Sequence, residues 1–220
     1  AVNIDYGIKT PIGRYNLELI PKMGANLIIF RPNMLIHKKL IRIGLEKYGD
    51  PDLMSHTLLH AYPLHIALNY NIPLVLLGEN SAFEYGDSSE ERLGFKLDTN
   101  WLRKFGVTHN TNAADWVDKD LSSKELTPYF EQSKHNVEQQ ETLAVFLGYY
   151  FQWDVQTSYR AANEQGFSVK SGEARTGIYD FADIDDDFIS IHHYLKWYKF
   201  GFPRTFDNLS IEIRQGRITR

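Results

Sequence analysis

Residues 72–86 read Ile72-Pro73-Leu74-Val75-Leu76-Leu77-Gly78-Glu79-Asn80-Ser81-Ala82-Phe83-Glu84-Tyr85-Gly86, and the fold turns on them. An apolar run from Ile72 to Leu77 stops at Gly78, and Glu79, Asn80, Glu84 and Tyr85 follow at once. A short unbroken apolar run fits a strand buried on both faces, as in a parallel sheet covered by helices. In such sheets ligands bind beyond the carboxyl ends of the strands. Gly78 permits a close backbone approach there, and the carboxylates and amide after it would face the crevice. The plain alternative is a strand that ends in a solvated turn.

The segments before this stretch fit the same frame. Ala1 to Ile4 reads as a short strand. Thr10-Pro11 opens a helix to about Lys22, with Gly24 as its stop. Residues 26–30 make a second apolar strand, and Asn33 caps a helix to about Tyr48. Leu35, Leu40, Ile43 and Leu45 fall near that helix's buried side. After the turn Gly49-Asp50-Pro51, residues 53–70 are helical in pattern, and Pro63 is expected to kink or restart that helix. Strand, helix, strand, helix, strand at this spacing predicts a parallel α/β sheet with right-handed crossovers.

Two histidine groups stand out on these helices. His37 lies among Lys38, Lys39 and Arg42, a pattern read as a solvated basic face or as a phosphate contact. His56 and His60 are four apart, the spacing of a metal pair on one helical face, although no acidic partner stands beside them.

Past the strand end, residues 87–142 are rich in Ser, Asn, Thr, Asp and Glu, and read as short helices and loops. A polar insertion there suits a lid or substrate arm; the alternative is a helical elaboration without ligand contact. Leu143 to Tyr150 reads as a fourth strand, followed by a helix to about Gln165 that Gly166 stops. Asp183, Asp185, Asp186 and Asp187 are magnesium candidates by their hard oxygen ligands, but the favoured reading is that the run caps the helix from Phe188 to about Phe200. The last helix is expected to start near Asp207 or Asn208, so that Arg214, Arg217 and Arg220 recur along one side. Within 188–220, Lys196, Lys199, Arg204, Arg214, Arg217 and Arg220 face only Asp207 and Glu212. A basic patch in a chain of net charge −4 suggests an anionic ligand such as a nucleotide phosphate, against the plain reading of a solvated face. The expected organisation is an incomplete nucleotide-binding α/β core over 1–86, the polar insertion over 87–142, and a returning strand with helices and a basic tail over 143–220.

Composition narrows the classes. A chain of 220 residues, 43% hydrophobic and 14% aromatic, can bury a sizeable core. It holds no cysteine, which excludes disulfides, thiolate zinc sites and a cysteine nucleophile within these residues. The acidic balance disfavours a general nucleic-acid role. No apolar stretch approaches the ~20 residues that span a bilayer, no leader is visible, and the chain reads as soluble and cytoplasmic. It starts at Ala1 beside a strand and stops at Arg220 inside a periodic segment, so it is expected to be part of a longer protein.

Several stretches together carry a family resemblance. They are Ile12-Gly13-Arg14-Tyr15-Asn16-Leu17, Pro32-Asn33, Gly49-Asp50-Pro51, Ile72-Pro73-Leu74, Gly78-Glu79-Asn80 and Glu84-Tyr85-Gly86. Further on come Arg175-Thr176-Gly177, Tyr179 through Asp186, His192-His193-Tyr194, Lys196-Trp197, Lys199-Phe200-Gly201, Arg204, Asp207-Asn208-Leu209-Ser210 and Ile213 through Arg217. In this order, over nearly the whole chain, they resemble the N-acetyl sugar amidotransferase family of lipopolysaccharide and sialic-acid-like sugar biosynthesis. The resemblance implies an ATP pyrophosphatase with a parallel Rossmann-like sheet of the adenine nucleotide alpha-hydrolase type, here with a helical insertion and a helical C-terminal tail. It implies ATP and Mg²⁺ as cofactors and activation of an acetamido carbonyl on a nucleotide-linked N-acetyl sugar. Ammonia then displaces AMP to give an acetamidino group. That ammonia is implied to come from a partner glutaminase through a cyclase-like subunit, and the lack of cysteine fits that division of labour.

The chain departs from the family at one point. The Ser-Gly-Gly-x-Asp-Ser loop that cradles pyrophosphate is not in these residues and is expected before Ala1, as is a cysteine-rich zinc-binding stretch. On the resemblance, Glu79 and Asn80 are candidates to hold Mg²⁺ or orient the acetamido group, and Glu84 to take a proton from ammonia. Tyr85, Lys196, Arg204, Arg214 and Arg217 are candidates for phosphate or sugar-nucleotide contacts, and Asp183 and Asp185 join Glu79 as weaker metal candidates. Two rivals stay open: a nucleotide-binding or glutaminase-scaffolding module without chemistry, and another ATP pyrophosphatase such as a tRNA-modifying enzyme.

Overall fold

The computed structural model describes residues 1–78, 94–97, 101–102, 108–170, 172 and 174–220. In chain order the elements are strand β1 (Val2–Ile4), helices α1 (Pro11–Leu17) and α2 (Leu19–Lys22), strand β2 (Ile28–Phe30), and helices α3 (Met34–Tyr48) and α4 (Leu53–Asn69). Strand β3 (Leu74–Leu77), helix α5 (Lys134–Gln139), strand β4 (Leu143–Phe146) and helix α6 (Leu147–Tyr150) follow. Helices α7 (Val155–Glu164), α8 (Ile189–Phe200) and α9 (Arg204–Arg214) complete them, with short 3₁₀ turns at Ala113–Trp116 and Thr127–Tyr129.

The chain divides into two compact units, one of two segments (1–31 with 153–220) and one of a single segment (32–152). Parallel pairing is present as expected, but one continuous sheet is not formed among the described strands. β1 pairs with β2 in the two-segment unit, Val2 opposite Ile28 and Ile4 opposite Phe30. β3 pairs with β4 in the single-segment unit, Leu74 opposite Leu143 and Leu77 opposite Phe146. The expected fourth strand is also shorter, because the chain turns helical at Leu147.

In the two-segment unit the start of α1 is fixed to residues 184–186. Thr10 caps α1 by accepting from Gly13 N (3.0 Å), while its hydroxyl donates to Ile184 O (2.6 Å) and its amide to Asp185 O (2.8 Å). This close approach explains Gly13, since a Cβ there would lie 2.5 Å from Asp185 O and 2.7 Å from its Cα. Gly13→Ala is expected to destabilise this unit by about 1–3 kcal/mol through overpacking against backbone, a loss that urea unfolding would read. Nearby, Asn16 and Ser168 exchange two hydrogen bonds of 2.8 Å each. Tyr159 stacks on Phe181 with ring centroids 4.1 Å apart. At the end of β1, Arg31 pairs with Asp5 and holds its carboxyl below the usual range.

In the single-segment unit α3 packs on α4, and α4 packs on the Thr127–Tyr129 turn. Leu40, Leu53, Met54, Leu58, Leu126 and Tyr129 are fully buried there. The buried side of α3 is Ile36, His37, Leu40 and Gly44; of the expected positions Leu40 is buried and Ile43 half-buried, while Leu35 and Leu45 are 74% and 43% exposed. His37 therefore belongs to the core and not to the basic face of Lys38, Lys39 and Arg42. Its Nδ1 lies 2.9 Å from Tyr129 Oη and its ring is fully buried. α4 runs through Pro63 unbroken. The Nδ1 atoms of His56 and His60 meet the carbonyls of Asp52 (3.0 Å) and His56 (2.8 Å), and among the described residues no third ligand joins them in a metal-holding group. A second core joins Leu64, Leu97, Trp101, Leu102, Ala144 and Phe146 against Val75 and Leu77.

Candidate functional site

The C-terminal part of the two-segment unit brings several sequence candidates together. Asp186 Oδ1 accepts from Phe188 N (2.8 Å) and Ile189 N (2.9 Å), so the acidic run caps the start of α8 as the favoured reading had it. Gly201, at φ 78°, closes that helix in the left-handed conformation. α9 then begins at Arg204, three residues before the expected start. His193 and Lys196 sit one turn apart on α8, and Arg204 and Asp207 one turn apart on α9, so each pair shares a helix side.

These sides meet in a buried charge cluster. Lys196 Nζ donates to Asp207 Oδ2, and Arg204 Nη1 lies 3.8 Å from the same oxygen. Arg204 Nε lies 3.8 Å and His193 Nε2 3.5 Å from Asp183 Oδ2, to which Thr176 also donates. Side-chain exposure is 7% for Asp207, 11% for Lys196 and 17% for Arg204 and Asp183. Burial pushes the Asp183 carboxyl up, yet the bonds from His193 and Thr176 and the Arg204 charge outweigh it and hold the pKa at about 2. Asp183 has φ 56°, a conformation that a non-glycine residue keeps only where its surroundings impose it. His193 Nδ1 is buried without a hydrogen-bond partner. Beside the cluster, Asn208 Oδ1 accepts from Ile178 N (3.1 Å).

A second network lies in the same unit. Tyr179 donates to Glu212, Arg217 bonds Glu212 through Nε and Nη2, and Arg217 Nη1 reaches Asp154 at 2.8 Å. The Arg217 guanidinium, ahead of Tyr179, lowers the Glu212 pKa. Asp154 in turn caps α7, accepting from Gln156 N and Thr157 N. This network fixes the chain after α9 to the start of α7.

The other sequence candidates are placed as follows. Glu79, Asn80, Glu84 and Tyr85 lie outside the described residues. Lys196, Arg204 and Asp183 come together, while Arg217 serves the second network. Arg214 ends α9 and bonds Ser210 Oγ at 2.6 Å. Since α9 stops at Arg214 and Gly216 takes φ 70°, Arg217 and Arg220 do not continue one helical side with it, contrary to the expected stripe. Asp185 is tied to Thr10 through its backbone, and burial, then the charge of Asp186, raises its carboxyl pKa. Among the described residues no group of three or more His, Asp or Glu is placed to hold a metal ion. Thr176, His193 and Asp207 complete the cluster, although none of them was a candidate site residue. For His193 and Asp207 the helical spacing to Lys196 and Arg204 was the available signal.

Two cations and two carboxylates make the cluster near neutral in formal charge. Lys196 and Arg204 already face buried carboxylates, so they do not form an open phosphate cradle as they stand. No helix among the described residues is long and apolar enough to cross a membrane. No curated protein matches the chain. Residues 173–220, which hold the whole Asp183–Asp207 cluster, match the family model described as LPS biosynthesis protein WbpG-like, C-terminal domain, and through them the chain is similar to proteins of lipopolysaccharide biosynthesis.

Proposed function

We propose that the chain is the synthetase part of an ATP-dependent amidotransferase. It converts the N-acetyl group of a nucleotide-linked sugar to an acetamidino group, with ammonia from a partner glutaminase, in surface-polysaccharide biosynthesis. The match of residues 173–220 to the WbpG-like C-terminal domain carries this reading. The parallel β1–β2 and β3–β4 pairs, each joined through helices, support a core of the nucleotide-binding α/β kind. In this reading ATP and Mg²⁺ supply the activation of the acetamido oxygen. Glu79 and Asn80, which follow β3 in sequence, orient the acetamido group, and Glu84 accepts a proton from the attacking ammonia.

The test is pyrophosphate release by the intact enzyme with ATP, a nucleotide-linked N-acetyl sugar and ammonium. Release should require the sugar, and Glu79→Gln and Glu84→Gln should each lower turnover by about 10-fold or more. Unchanged turnover in both variants removes these residue roles. One observation favours a second reading, a nucleotide-binding or glutaminase-scaffolding module: Lys196 and Arg204 are already paired with buried carboxylates. That module binds nucleotide and releases no pyrophosphate.

A further inference from the structure

The single-segment unit contains a cavity of about 390 Å³, within the range of small-molecule sites. Its walls are largely apolar, with Leu64 of α4, Leu97, Val137 of α5 and Ala144 of β4 among them. In this apolar setting one buried polar ring stands out. His60 lines the cavity, is 9% exposed, and brings its Nδ1 to within 2.8 Å of His56 O. A carbonyl only accepts, so Nδ1 carries the proton. Burial pushes the His60 pKa down to about 4, which keeps the ring neutral near pH 7. Its Nε2 is then a bare lone pair with no hydrogen-bond partner among the described residues, and it calls for an N–H or O–H donor. The charged lining residues are mainly acidic. Glu131, Glu138 and Glu141 line the cavity against Lys96 alone among the described cations, and Glu138 and Glu141 are exposed.

We propose that this cavity binds a small organic amine with an apolar body, which donates a hydrogen bond to His60 Nε2 and holds its ammonium at the glutamates. Three observations converge on that class. The volume and walls select an apolar body, the neutral imidazole selects a donor, and the carboxylates select a cation over an anion. The same net negative charge disfavours nucleotides and acidic sugars. The site is independent of the Asp183–Asp207 cluster, which lies in the other unit.

Tryptamine carries all three features and is the probe, titrated calorimetrically into the full chain. It should saturate. 1-Methyltryptamine, which lacks the ring donor, and indole-3-acetate, which reverses the charge, should each bind about 5-fold or more weakly. The exposed double change Glu138→Gln/Glu141→Gln should weaken tryptamine to a similar degree. Leu64→Phe, or Val137→Trp should the first not fold, should remove binding by filling the space, with circular dichroism confirming the fold. Absence of saturable tryptamine binding overturns the proposal. So does equal affinity for indole-3-acetate, or binding that survives the filling variants.

Discussion

Asp207→Ala lowers the unfolding free energy of the two-segment unit by about 3–5 kcal/mol, measured by urea unfolding followed by circular dichroism. Asp207 is 7% exposed and faces both Lys196 and Arg204, which are themselves 11% and 17% exposed. Taking such cations out of water is costly, and the carboxylate opposite them offsets that cost. Alanine removes the offset and leaves the cations in place. Removing both Lys196 and Asp207 is milder, because Lys196 is then not stranded and Arg204 keeps Asp183. Lys196→Met/Asp207→Leu should lose clearly less than the sum of the two single changes. A loss below about 1 kcal/mol for Asp207→Ala is the value of a solvated pair and would contradict the buried cluster. Asp183 adds a pH signature. Its folded pKa of about 2 lies below the unfolded value, so its contribution is present above about pH 4 and disappears as pH falls through 2.

The single-segment unit loses stability much earlier on acidification, between about pH 6.5 and 4. His37 and His60 are 0% and 9% exposed, and burial lowers the pKa of each from 6.5 to about 4. The folded rings stay neutral where the unfolded rings bind protons, so the unfolded chain gains protons first as pH falls. Stability is thus complete above pH 6.5 and drains downward. Each ring is worth at most about 3.5 kcal/mol across the window, from 1.36 kcal/mol for each pKa unit. Urea midpoints from pH 7.5 to 4.5, read by Trp101 and Trp116 fluorescence with Trp153 and Trp197 replaced by Phe, should fall steadily. His60→Gln should roughly halve the slope. A flat profile would mean that the rings reach protons in the folded state and are not buried as described.

The elements that sequence reading found are those whose signals are local. Thr10, Asn33 and Asp154 cap their helices with their own side chains, and Gly49, Gly166 and Gly201 take positive φ at or just beyond helix ends. Asp186 likewise acts on amides two and three residues ahead. What escaped depends on distant partners. Asp207 was read near the start of the last helix, but α9 starts earlier and the Asp207 carboxylate is taken by Lys196 from another helix. His37 looked solvated among lysines and an arginine, and only Tyr129, 92 residues away, reveals it as core. Thr176 and Asp183 belong to one irregular stretch with no periodicity to align them. Lys196 and Arg204 were legible as a basic pair, whereas the carboxylates that neutralise them were not. The pairing of β1 with β2 and of β3 with β4, two separate pairs among the described strands, has no signature in a single strand's composition.

The division of the two-segment unit orders events on the ribosome. Residues 1–31 are made before the single-segment unit, yet the partners of Thr10 and Asn16 lie more than 150 residues later in the chain. At ordinary elongation rates, on the order of ten seconds pass before residues 168–185 are made. The apolar groups of α1 and α2 spend that interval unburied, while the whole single-segment unit emerges and can fold. Residues 1–31 are therefore a natural client of a chaperone until residues 168–185 arrive to dock them.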